Sequence, residues 1–361
     1  MGATGATRGR RRPRASPFLL AVAALAAAAG CERSPSGAGD DAAAVARVVA
    51  GITPDAVGGH VAYLAGDALR GRLTPSPGLA AAADYIAGVF RAAGLAPGAD
   101  GGSFLQPYPC AGVAASSWPA NVVGLLPGSD RARTDEWVVL SAHYDHLGVG
   151  TPDARGDSIY NGADDNASGT AALLEAARAF AALPRRPARS IVFVAVSGEE
   201  QGLVGAAWFV AHRPAAIAEL VADVNLDMVG RNSPELIFLV GDTLSTLGPV
   251  AAAQSAAHPE LGFQPRSGSA ADQVFFHSDQ YAFATAGVPG LMLHTGTHTD
   301  LHRPSDEAQT LDIDKVARAA RLAFYLTYAV ASAPQPPAWT PAGERMHFQP
   351  YPASCAAPGL R

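Results

Sequence analysis

Four groups of acidic and histidine residues stand directly after apolar, β-branched runs in this 361-residue chain. Residues 137–142 run into His143-Tyr144-Asp145-His146, residues 190–196 into Ser197-Gly198-Glu199-Glu200, residues 221–226 into Asp227, and residues 288–293 into a segment from His294 to His302. A fifth group, Asn161-Gly162-Ala163-Asp164-Asp165-Asn166-Ala167-Ser168-Gly169, opens an alanine-rich stretch. A lone Asp or His at a strand end usually caps or turns the chain. Five groups together ask for another explanation. Carboxylates and imidazoles, with no Cys-x-x-Cys anywhere, suit a hydrolytic zinc site of oxygen and nitrogen ligands. That is more than one ion uses, and it suits two ions sharing a bridging carboxylate.

Residues this far apart in sequence converge only if a sheet gathers them. In open α/β sheets the carboxyl ends of the strands line the ligand crevice. The apolar runs alternate with stretches of helical periodicity at 79–93, 168–182, 202–212, 246–257 and 313–331, the last with Asp312 placed to cap it. The pattern predicts an α/β fold: a mostly parallel, mixed central sheet with helices on both faces. Residues 45–333 form one domain, and residues 334–361, with seven prolines, read as a surface tail.

A chain that is 48% hydrophobic and 16% charged can bury a large core, which excludes a disordered protein, and a net charge of −6 argues against a nucleic-acid partner. Arg8, Arg10, Arg11, Arg12 and Arg14 precede the apolar run Phe18–Gly30, so residues 1–30 read as a secretory signal. Thirteen residues fall short of the ~20 that span a bilayer. Ala28-Ala29-Gly30 before Cys31 is similar to a bacterial lipobox, so residues 31–44 read as a lipid-anchored or flexible tether. The alternative is an ordinary signal peptide. Either way the protein is exported, as a lipoprotein of the bacterial cell envelope or a periplasmic or secreted protein. Membrane contact comes only through a lipid at Cys31. Removing residues 1–30 leaves the chain at −11. Cys110 and Cys355 remain, and export would let them pair.

His143-x-Asp145, Gly162–Gly169, Gly198-Glu199-Glu200-x-Gly202-Leu203-x-Gly205, Asn225-x-Asp227-Met228-x-Gly230 and His302-x-Pro304-Ser305-Asp306 resemble, in order, the signature of the M28 family of zinc peptidases. The upstream stretch from Leu64 to Arg72 and Gly94-Leu95-x-Pro97 extend the likeness to about residues 60–330. The resemblance implies a zinc-exopeptidase-like three-layer architecture, two Zn²⁺ and peptide substrates, with aminopeptidases of secreted bacterial type the best-known members.

Carried over residue by residue, the resemblance implies that His143 and Asp227 hold one zinc and Glu200 and His302 the other, with Asp165 bridging and Asp164 a neighbour in the loop. Asp145 accepts the far N–H of His143. His146, His294 and His298 read as pocket or surface residues. Two Zn²⁺ against Asp165, Glu200 and Asp227 leave one positive charge, which a bridging hydroxide balances. Glu199 is the general base. As extended neighbours Glu199 and Glu200 would point opposite ways, one for the proton and one for zinc. Gln280 stands in Ser278-Asp279-Gln280 where many relatives have histidine. A carboxypeptidase or dipeptidase on the same scaffold is the nearest alternative. A binding protein with a vestigial site is the alternative from another class, although no ligand of the pattern is missing.

Overall fold

A computed structural model of the chain describes residues 36–268, 272–350 and 354–356. The segments read as a signal and the lipid site at Cys31 lie outside the described residues. Among the described residues eleven strands form: β1 Ala96–Pro97, β2 Leu105–Pro107, β3 Ala120–Leu126, β4 Glu136–His143, β5 Gly148–Val149, β6 Ile159–Tyr160, β7 Ser190–Val196, β8 Glu219–Leu226, β9 Leu236–Val240, β10 Gln264–Ser267 and β11 Gly290–His294. Nine of them make one sheet in the order β1-β3-β7-β4-β8-β11-β9-β10, with β2 beside β3. β7, β4, β8 and β11 are mutually parallel, while β3 and β9 run against their inner neighbours. The sheet is mixed, as predicted, and its parallel centre is where the chemistry-bearing strands lie.

Side chains alternate across a strand, so each strand sorts its residues between two faces. On β4, Val138, Leu140 and Ala142 join one core with Val224 and Leu226 of β8. Val139 and Trp137 join the other. The first core is covered by α2 (Pro54–Leu64), α3 (Pro77–Ala92), α4 (Gly169–Ala181), α6 (Leu247–Ala257) and α9 (Ile313–Ser332). The second lies under α5 (Val204–Ala211) and α8 (Gln280–Thr285). Phe180 of α4 stacks on Phe324 of α9 at 4.1 Å between centroids, tying the two helices that cover the site-bearing strands. Asp312 caps α9 by accepting the Lys315 N–H at 2.9 Å, worth about 1 kcal/mol. Among the described residues no helix is long and apolar enough to cross a membrane.

The segment expected to be a tether is helical from Ser36: α1 spans Ser36–Ala50. Its alanines favour helix, and it docks through buried Ala44 and Val49 and an Asp41–Arg185 ion pair of 3.0 Å. The proline-rich tail is also fastened, by a Cys110–Cys355 disulfide and by Trp339, which pairs with Ser245 and packs on Phe348.

Candidate metal centre

Alternation and register place the polar residues. Ser141 of β4 faces Asn225 of β8 in register, and Val139 faces Asp223. Ser141 and His143 therefore share the α5/α8 face with Asp223 and Asn225, and Asp227 follows at the strand end. The Asp165 loop reaches the same rim from α4. Its backbone is pinned by Asp306, which accepts the N–H groups of Asp164 (3.0 Å) and Asp165 (3.1 Å). Asp164 in turn accepts the Gly230 N–H at 2.7 Å, so it holds the loop.

Asp165 is the shared residue. His143 Nε2 lies 3.2 Å from its Oδ1 and 3.5 Å from Asp227 Oδ1. His302 Nε2 lies 3.1 Å from its Oδ2 and 3.3 Å from Glu200 Oε2. In a tetrahedral zinc site with bonds of about 2.0–2.2 Å, neighbouring ligand atoms stand about 3.3–3.6 Å apart. The spacings fit two such ions with one carboxylate oxygen for each. Buried Asp227 Oδ1 and Glu200 Oε1 have no hydrogen-bond donor, as expected of atoms whose partner is a metal.

The electrostatics ask for cations too. Although burial alone would lower it, Glu199 and Asp227 hold the His143 imidazole well above its ordinary value. Hydrogen bonds with Asp165 and Glu200 lift His302 to about 10. Burial pushes the Glu199 carboxyl well above the usual range; His143 opposes this, while Glu200, Asp279 and Asp227 add to it. Asp279 is pushed up to about 8, by burial above all.

Several expectations are revised. Asp145 Oδ1 is 3.7 Å from His143 Nδ1, longer than a hydrogen bond, and the Asp145 backbone carbonyl is nearer at 3.3 Å. The carboxylate is engaged elsewhere: it accepts the Thr74 hydroxyl at 3.0 Å and the Glu199 N–H at 3.3 Å. Asp145 thus anchors the loop carrying Glu199. That loop is a turn and not extended, because Gly202 N–H closes on Glu199 O at 2.8 Å. The two glutamates still face different partners, Glu200 meeting His302 and His146. His146 and His294 are buried and His298 is half-buried: His294 Nδ1 pairs with Asp227 O at 2.8 Å, and His298 Nε2 lies 3.3 Å from Asp164 Oδ2. Gln280 points inward, accepting from Asn225 and donating to Phe275 O.

Two supports escaped sequence reasoning. Arg72 is fully buried, and its guanidinium donates to the carbonyls of Tyr144 (2.7 Å), Asn161 (2.8 Å), Gly162 (3.0 Å) and Leu64, clamping the end of β4 to the Asp165 loop. The other is a polar chain under Asp227. Ser278 Oγ donates to Asp227 Oδ2 at 2.7 Å, and Asn225 Nδ2 donates to Ser278 Oγ at 2.8 Å. Ser141 Oγ sits 3.1 Å from Asn225 Oδ1 and 2.8 Å from Asp223 Oδ1. A hydroxyl has one proton to give. If Ser141 gives it to Asn225, a protonated Asp223 supplies the missing one, and every donor then points toward Asp227. Burial, which holds the Asp223 carboxyl well above the usual range, agrees. The signal was three polar residues on one face of otherwise apolar strands.

A pH dependence follows. Asp223 carries no penalty below its unfolded pKa of about 3.9, and a growing one as pH rises toward its folded value. Asp223→Asn, whose amide can still donate to Ser141, should match the wild-type melting temperature at low pH and exceed it increasingly toward neutral and alkaline pH. A gap that does not change with pH would contradict a protonated Asp223.

Fold and site together define an α/β protein with a candidate metal centre, a set of oxygen and nitrogen donors at the carboxyl ends of its parallel strands. The chain belongs to peptidase family M28, whose model matches residues 121–327. A probable zinc metalloprotease of Pyrenophora teres f. teres is 30% identical over 239 residues, 60% of this chain and 49% of that relative. Aminopeptidase YwaD of Bacillus subtilis is 27% identical over 219 residues, 58% of this chain and 44% of that relative. The chain thus spans about half the length of these curated relatives. Among solved structures, the LapA aminopeptidase of Legionella pneumophila superposes with a TM-score of 0.64 at 19% identity, covering 81% of this chain and 75% of that one. BSAP, a zinc aminopeptidase from Bacillus subtilis, does so with 0.59 at 15%, covering 77% and 95%. At these identities the likeness shows the fold.

Proposed function

We propose that the chain is a di-zinc exopeptidase that removes N-terminal residues from peptides. The observation that carries this reading is the sharing of Asp165 between two donor sets, His143 with Asp227 and Glu200 with His302, beside half-buried Glu199. Bound zinc would lower the pKa of an attacking water from about 15.7 toward 7. Glu199 takes the water's proton and returns it to the leaving amine. Asp145 keeps Glu199 in place through its N–H, and Ser278 fixes Asp227. The acidic surroundings of the centre suit a cationic α-amino group and favour an aminopeptidase. The name of the Bacillus subtilis relative supports the same choice. We propose export as well, supported by the arginine-rich leader and the disulfide.

A panel of free, N-acetylated and C-amidated peptides tests the specificity on zinc-loaded protein. Acetylation should abolish cleavage and amidation should not. The reverse pattern would make the chain a carboxypeptidase, a need for both free ends a dipeptidase, and no cleavage of any peptide a binding protein.

A further inference from the structure

His146 has no role in the reading above, yet it is fully buried at the second donor set. The chain turns back after His143: His146 N–H donates to Arg72 O at 3.3 Å, and the Arg72 clamp brings this turn against the Asp165 loop. The ring packs on Gly162, where a Cβ would stand 2.5 Å from its Cγ and Cδ2, and Gly162 itself has a φ of +57° that favours glycine. No other residue at 162 leaves room for this imidazole. Its Nδ1 stands 2.7 Å from Glu200 Oε1 and 3.8 Å from Asp165 Oδ2. Those are the two carboxylates that His302 also faces, His302 using Glu200 Oε2, and the two rings are 5.7 Å apart.

Neither ring nitrogen of His146 makes a hydrogen bond, and neither does Glu200 Oε1, despite the short contact. The Nδ1 lone pair is placed to meet an ion that Glu200 and Asp165 also touch. We propose that His146 Nδ1 is a fourth protein ligand of the second zinc, beside Asp165, Glu200 and His302. The inference rests on the two-metal reading. It makes the two sites unequal. The second, walled by buried His146 and by His302, whose side chain is 51% exposed, is filled by protein as structural zinc sites are. The first, with His143, Asp165 and Asp227 as its protein donors, would be the site left with room for water or substrate.

The test needs no turnover. Zinc-edge X-ray absorption on the loaded wild type should count three imidazoles over the two ions; two would overturn the proposal without any variant. His146→Phe keeps a ring on Gly162 and removes the lone pair. By calorimetric titration of metal-free protein, it should bind the second zinc at least about tenfold more weakly and the first unchanged. Equal affinity for both ions, or equal weakening of both, overturns the proposal. A wild type that takes only one zinc defeats the two-metal reading itself, and this inference falls with it.

Discussion

Glu199→Gln should lower kcat by about 10²–10⁴-fold, with kcat/KM falling in step and both zinc ions retained. The substitution keeps size and hydrogen-bonding atoms and removes only the basic oxygen. The backbone N–H of residue 199 still meets Asp145, so the turn is held as before. The ion pairs with His302 and His146 are made by Glu200, so metal affinity has little to lose. Burial raises the Glu199 carboxyl well above the usual range, and nearby divalent cations would draw it back toward neutrality, where a group that must accept and then return a proton works best. Glu200→Gln is the control: it should weaken one zinc, with activity partly recovered in excess metal. If Glu199→Gln stripped metal and Glu200→Gln did not, the two roles would be exchanged. A vestigial binding site would have no turnover to lose.

The contrast between those two glutamates also marks how far sequence reasoning reached. The parallel centre of the sheet was readable because β4, β7, β8 and β11 are predominantly apolar runs, close to the pattern of strands buried on both faces. β3 was not picked out: Gly124 interrupts it, a residue required because a Cβ there would come within 2.9 Å of Leu95 and Phe90. β10, Gln-Pro-Arg-Ser, is an edge strand with a proline and no apolar alternation to detect. At the site, residues at strand ends and in the Asp165 loop could be proposed because each sits in a local motif. Their supports could not. The Arg72 clamp joins segments 72 to 90 positions apart, and the chain from Asp223 to Asp227 passes through Ser278 on another element. His146 reads as a pocket or surface residue because a strand end cannot easily aim both it and His143 at one ion. It does not need to, because the turn after His143 carries His146 to the other donor set.

Asp165→Asn should cost the protein both ions at once. Each carboxylate oxygen faces a different imidazole, Oδ1 toward His143 and Oδ2 toward His302. Removing the charge therefore withdraws an anionic ligand from two sites, whereas Glu200→Gln or Asp227→Asn withdraws one. The loop should keep its shape. Its anchors are the Asp306 carboxylate on the 164 and 165 N–H groups, Asn166 Nδ2 on Leu226 O at 2.8 Å, and Ser168 Oγ on Asp164 O at 2.7 Å, none of which uses the Asp165 side chain. The difference can be read without substrate, since a ligand that binds only the folded state stabilises it by about 2.7 kcal/mol when present at 100 times its Kd. Zinc should raise the melting temperature of the wild type clearly, that of Glu200→Gln less, and that of Asp165→Asn hardly at all, in the same protein concentration and buffer. Metal analysis after gel filtration should agree, falling from two equivalents to one and to none. Retention of one ion at wild-type affinity in Asp165→Asn would mean that His143 and Asp227 hold their zinc without help. The two sites would then be separate, and the shared carboxylate would be a neighbour of the centre and not its bridge.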